Sequence, residues 1–263
     1  MKVGSAGVRS GAAESLRVFL ANWFFTSLCG MTLGEYMRLL QKHRFAVAPA
    51  YWPRAAFMTG MGALNSIVSS YENRIYGPEV ASARIRPPLF ILGHWRSGTT
   101  LLHNLLATDG QFAYPTTYQV LNPHTFLTTE RFSRFLFVSP STRMMDNIPL
   151  NASVPFEDEF ATCGTLCSPF LTWVFPRDAE EYHKYLTFRG VADRDVSEWT
   201  AALTLFYRKL TWKYDRPLLL KSPPHTGRIK LLLQTFPDAR FVHIHRNPYA
   251  IFQSTQRQTQ VSL

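Results

Sequence analysis

The chain has 263 residues, 46% of them hydrophobic, enough for one sizeable α/β core without disulfide or metal staples. Lys and Arg outnumber Asp and Glu by 28 to 18, and the net charge of +10 favours anionic partners. The dense basic blocks of nucleic-acid-binding tails are absent, so no nucleic-acid partner is expected. Three cysteines make no disulfide framework and suit a reducing, cytoplasmic compartment.

In chain order, the first dozen residues are small and polar, a frayed end. Between Arg17 and Glu35 no residue is charged. That run is near the ~17-residue lower limit of a membrane span and contains Asn22, Thr26 and Ser27. It reads first as a core or docking helix. An interfacial helix making peripheral membrane contact through residues 16–40 is the main alternative, ahead of a span or a signal peptide. Thr32 to Glu35 (TLGE) is a capping box, so a short helix follows it. A longer helix begins at Pro53. Its apolar stripe, Phe57, Met61, Leu64, Val68, Tyr71 and Ile75, is expected to face the core, and Gly77-Pro78 is expected to end it. Residues 1–80 thus form a helical extension ahead of an α/β domain at 81–263.

The run LFIL, Leu89 to Leu92, has the short continuous apolar pattern of a central parallel strand. GHWRSGTTLLHNLL follows, and Leu101, Leu102, Leu105 and Leu106 make a helical face. Strand, loop, helix is the right context for an anion site. Gly93 and Gly98 have the spacing of a Walker A loop, but Thr99-Thr100 stands where Lys and then Ser or Thr would follow. Arg96 supplies positive charge earlier in the loop. Amides at a helix start face an anion, Gly98 permits close approach, and Ser97, Thr99 and Thr100 can donate hydroxyl hydrogen bonds. Further along, PLLLKSPPHTGRIKLLLQTFPDARFVHI contains two more strands, Leu218 to Leu220 and Phe241 to Ile244, with a helix from Thr226 to Phe236 between them. Ligands of such sheets bind beyond the carboxyl ends of the strands, where Lys221, His225, Arg246 and the 93–98 loop fall. Cys163 and Cys167 are four residues apart with no close His, and read as buried thiols rather than metal ligands.

GHWRSGTTLL resembles the 5′-phosphosulfate loop of sulfotransferases that use 3′-phosphoadenosine 5′-phosphosulfate (PAPS). HRNPYAIFQS resembles the 3′-phosphate motif of the same family, with Arg246 and Ser254 in its two positions. The resemblance runs from about Pro87 to Ser254 and is strongest at its two ends. It implies a P-loop-NTPase-like sulfotransferase fold, a parallel β-sheet flanked by helices. It also implies transfer of a sulfonate from PAPS to a hydroxyl or amine of a small-molecule, lipid or carbohydrate acceptor, with no metal. Gly93, His94, Arg96, Ser97, Gly98, Thr99 and Thr100 would hold the 5′ group; Arg246 and Ser254 would hold the 3′-phosphate.

Sulfuryl transfer needs in-line geometry, stabilised charge and a base for the acceptor. Arg96 and Lys221 are the expected charge stabilisers. His225, placed on the active rim with a suitable ordinary pKa, is the first candidate base. His94 and the acidic group PFEDEF, with Glu157, Asp158 and Glu159, are the others. A nucleotide-dependent phosphotransferase with a variant P-loop and a non-catalytic nucleotide-binding protein of the same fold are the rival readings. Family members continue beyond the 3′-phosphate helix, whereas this sequence stops nine residues after Ser254, and so it is expected to be a fragment that binds nucleotide weakly.

Overall fold

The structure is a computed structural model that describes residues 28–133 and 151–262. Most of the uncharged run after Arg17 lies outside these residues. Helix α1 (Leu33–Lys42) starts at the capping box: the Thr32 hydroxyl accepts from the Glu35 amide, and the Glu35 carboxylate accepts from the Thr32 amide. Helix α2 (Trp52–Ser82) has 31 residues, and no described helix is long and apolar enough to cross a membrane.

Two expectations for α2 fail. It runs through Gly77 and Pro78 rather than ending there. Proline removes one amide and crowds the carbonyl four residues back, that of Arg74. Both residues are exposed, so water can satisfy the freed carbonyl. The inward face is also not the apolar stripe. Met58, Gly62, Asn65, Ser69, Glu72 and Val80 are buried, while Leu64, Tyr71 and Ile75 face solvent. Specific polar contacts hold the inward face. Asn65 Nδ2 donates to the carbonyls of Cys29 and Met31, and Gly62 lies against the Leu33 backbone.

Among the described residues, three parallel strands form the sheet: β1 (Leu89–Leu92) at the centre, β2 (Leu219–Lys221) on one side and β3 (Arg240–His243) on the other. Leu89 pairs with Leu219 and with Arg240. Central position buries β1 on both faces, which accounts for its unbroken apolar run. Helix α3 (Thr99–Leu106) follows β1 directly. Helix α4 (Asp193–Tyr214) precedes β2, helix α5 (Ile229–Thr235) joins β2 to β3, and α6 (Pro248–Ser262) follows β3. The helix expected from Thr226 is a 3₁₀ turn (Pro223–Gly227) before α5, because the double proline allows only a tight start.

One hydrophobic core runs from Leu28, Tyr36 and Met58 through Phe90 and Phe126 to Trp199, Tyr207 and Phe236. It therefore joins the N-terminal helices to the sheet. Cys163 and Cys167 are buried free thiols, as expected, and burial pushes their pKa up to about 12 and about 11.

Candidate active site

The loop between β1 and α3 is built to bring backbone close to a ligand. A Cβ at Gly93 would sit 2.7 Å from the Ile244 carbonyl and 2.8 Å from Ser97 Oγ. Arg96 takes a left-handed φ of 66°, a strained state for a residue with a side chain, and Gly98 takes 101°. Gly98 begins α3 with no side-chain cap, so the helix-start amides remain directed at the loop's interior. Ser97 and Thr99 are buried. Ser97 Oγ donates to the His94 carbonyl at 2.7 Å, which fixes the loop from within. His94 itself is exposed.

The second segment is anchored to this loop. Thr226 Oγ1 accepts from the Gly93 amide at 2.9 Å and donates to its carbonyl at 3.3 Å. Lys221, at the end of β2, is buried, and its Nζ donates to Thr100 Oγ1 at 3.2 Å and to Glu157 at 2.6 Å. On the other side, Arg96 Nε donates to Ser254 Oγ at 2.9 Å. Arg246 donates to the Arg96 carbonyl at 3.3 Å. The loop, Lys221, Arg246 and Ser254 therefore meet at the carboxyl ends of the strands.

Glu157, Asp158 and Glu159 do not act as a group. A 3₁₀ helix (Asp158–Thr165) has three residues per turn, so successive side chains point in different directions. Each direction is met by a residue of KSPPHTGR. Glu157 pairs with Lys221. Asp158 accepts from Ser222 Oγ at 3.0 Å, pairs with His225 Nε2 at 2.7 Å and accepts from Tyr207. Glu159 makes a bidentate pair with Arg228, whose guanidinium lies 4.7 Å from the Trp199 ring centre. Asp158, Glu159 and His225 are fully buried.

That burial corrects two expectations. His225 is not on an open rim. Its ring stands edge-on to Phe90 at 5.4 Å, and among the described residues its hydrogen-bond partner is Asp158. Glu159 is likewise shut in with Arg228. Burial alone would raise the Asp158 pKa, but the His225 charge and the hydrogen bonds from His225, Tyr207 and Ser222 outweigh it and hold the carboxyl well below its ordinary value. Tyr207 moves the other way, raised by burial and by the Asp158 charge.

His103, on α3, was not singled out by its sequence context. It is buried, and desolvation with the nearby Lys221 charge lowers its pKa to about 3, so it is a neutral ring beside a cation. Thr226 was also missed; a hydroxyl two residues before Arg228 carries no signal without the fold. Among the described residues, no group of three or more His, Cys, Asp or Glu is placed to hold a metal.

The comparisons agree with this geometry. A model of the Sulfotransferase family matches residues 87–262. The omega-hydroxy-beta-dihydromenaquinone-9 sulfotransferase Stf3 of Mycobacterium bovis and its counterpart in Mycobacterium tuberculosis are each 40% identical to the chain over 236 residues. Those residues are 89% of this chain and 61% of either relative, so the chain spans about three-fifths of the curated relatives it matches. In fold, it resembles the crystal structure of sulfotransferase STF9 from Mycobacterium avium, with a TM-score of 0.56 at 24% identity, covering 81% of this chain and 57% of that one. The parallel sheet, the glycine loop opening into α3 and the family match over both motifs lead to one conclusion: the chain belongs to the sulfotransferase family.

Proposed function

We propose that the chain carries the donor-binding part of a sulfotransferase that moves a sulfonate from PAPS to the hydroxyl of an apolar, lipid-like acceptor. The observation that carries this reading is Lys221: one buried ammonium bridges the first turn of α3 and Glu157. The donor set fits a sulfated nucleotide. Uncapped helix amides, Ser97, Thr99 and Thr100 suit the 5′ group, while Arg246 and Ser254 suit a 3′-phosphate. PAPS supplies an activated sulfonate on a good leaving group. Arg96 and Lys221 stabilise charge on the oxygens around the transferred group. Glu157, reachable and held by Lys221, is the acceptor's base; His225 and Glu159 position the segment instead. The relatives' acceptor, by name an omega-hydroxylated dihydromenaquinone, supports a hydroxyl on an apolar molecule.

Calorimetry with 3′-phosphoadenosine 5′-phosphate (PAP), with adenosine 5′-phosphosulfate and with ATP, each with and without Mg²⁺, tests the donor. PAP should bind without metal. Arg246→Ala should weaken PAP by about 1.5–3 kcal/mol and leave the ligand without a 3′-phosphate nearly unaffected. Equal losses for both would remove the 3′-phosphate assignment. Mg²⁺-dependent ATP binding with no PAP binding would turn the reading to a phosphotransferase.

A further inference from the structure

Helix α2 carries an apolar ridge on its solvent side. Leu64, Ile67, Tyr71 and Ile75 are between 44% and 69% exposed, at helical spacing on one face. Trp52, Tyr51 and Phe45, at and before the helix start, are also each more than half exposed. From Leu64 to Ile75 the ridge is about 17 Å long. Soluble surfaces scatter single apolar residues; four in line on one helix face mark a contact surface.

The charges on this helix narrow the partner. The helix has two carboxylates: Glu72, buried and paired with Lys209, and Glu79 near its end, which accepts from Trp212 and lies outside the ridge. Arg74 is exposed on the ridge side, Arg54 is half-buried near the helix start, and Arg44 is exposed beside Phe45. A second copy of the chain seated on this ridge would bring arginines together with no exposed carboxylate on the ridge to answer them. An anionic bilayer answers them everywhere. Leucine and isoleucine along the middle, Trp and Tyr at one end and arginines at the margins are the composition of a helix lying in a membrane interface.

We infer that the exposed face of α2 is a docking surface for an anionic phospholipid membrane. This extends beyond sulfonate transfer and does not depend on it. It also places membrane contact on α2 rather than on the uncharged segment around residues 16–40.

Co-sedimentation of the full chain with vesicles of equal parts phosphatidylglycerol and phosphatidylcholine tests the inference. Binding is expected, weakened by salt and weaker on pure phosphatidylcholine. Ile67→Glu and Tyr71→Glu should each lower partitioning at least about tenfold. Leu205→Glu, at an exposed position on α4, should not. Circular dichroism shows whether each variant is folded. As a second measurement, Ile67→Cys labelled with an environment-sensitive fluorophore should shift to the blue with anionic vesicles. Absence of that shift overturns the inference. So does vesicle binding unchanged by Ile67→Glu and Tyr71→Glu, which would return the contact to residues 16–40. A dimer that depends on Ile67, without vesicle binding, also overturns it.

Discussion

Three adjacent carboxylates at 157–159 have three different fates, and substitutions should separate them. Glu157→Gln keeps the shape and can still accept a hydrogen bond from Lys221, but it no longer takes a proton. Turnover should fall by ~10²–10⁴ while the denaturant midpoint barely moves. Full retained turnover would remove Glu157 as the base. Glu159→Gln strands the buried Arg228 charge, so it should cost about 3–5 kcal/mol of stability, read from the same unfolding curves. His103 adds a pH signature. Its folded pKa, about 3, is below the ordinary 6.5, so between these values the unfolded chain binds the extra proton. Stability is then full above pH 6.5 and falls as pH drops, by about 1.4 kcal/mol per unit, until about pH 3. His103→Gln should flatten that slope in urea midpoints measured between pH 7 and pH 5; an unchanged slope would place the titration elsewhere. None of these depths is visible in PFEDEF or HNLL. The partners of the carboxylates lie 49 to 69 positions downstream, and a charged residue in a short polar run reads the same whether it is solvated or paired in the core.

The elements were legible where local chemistry decides them. LFIL announced a buried strand because continuous apolar character has few other uses at that length. The TLGE box fixed the start of α1 because capping is settled within four residues. Gly93, Arg96, Gly98 and Thr100 were readable as one strand-to-helix loop because the glycine spacing travels with the motif, and the structure brings Lys221 to it through Thr100. Helix α2 was legible in existence but inverted in orientation. Apolar periodicity says which residues share a face, not which face the neighbours take. Here the inward face was taken by Gly62, which allows close approach, and by Asn65, which satisfies two carbonyls of the segment crossing it. Asn65→Ala should therefore cost about 1–3 kcal/mol, since those carbonyls lose their donor. Ile67→Ser, at an exposed residue of the outward face, should stay within about 0.5 kcal/mol. Thermal or urea unfolding of the two variants side by side checks this. A larger loss for Ile67→Ser would mean that the ridge is packed.

At the scale of the molecule, the question is how the N-terminal helices are joined to the sheet that holds the loop. One link is electrostatic. Lys209 on α4 pairs with Glu72 on α2, both buried, and its ammonium also donates to the carbonyls of Pro123 and His124. Burial lowers the Lys209 pKa, and the Glu72 charge and hydrogen bond oppose that shift. Two charges taken out of water recover little net energy, but removing one leaves the other uncompensated. Lys209→Met should cost about 3–5 kcal/mol, and Glu72→Leu a similar amount. The double variant should recover much of the loss, because an apolar pair of similar volume is tolerated where a lone charge is not, although the Pro123 and His124 carbonyls still lose their donor. If the extension and the α/β domain share one core, every one of these variants shifts a single unfolding transition seen alike by circular dichroism and by tryptophan fluorescence. Two separated transitions, with only the first moved by Glu72→Leu, would instead make the helices an appendage that unfolds on its own and leaves the loop at Gly93 intact.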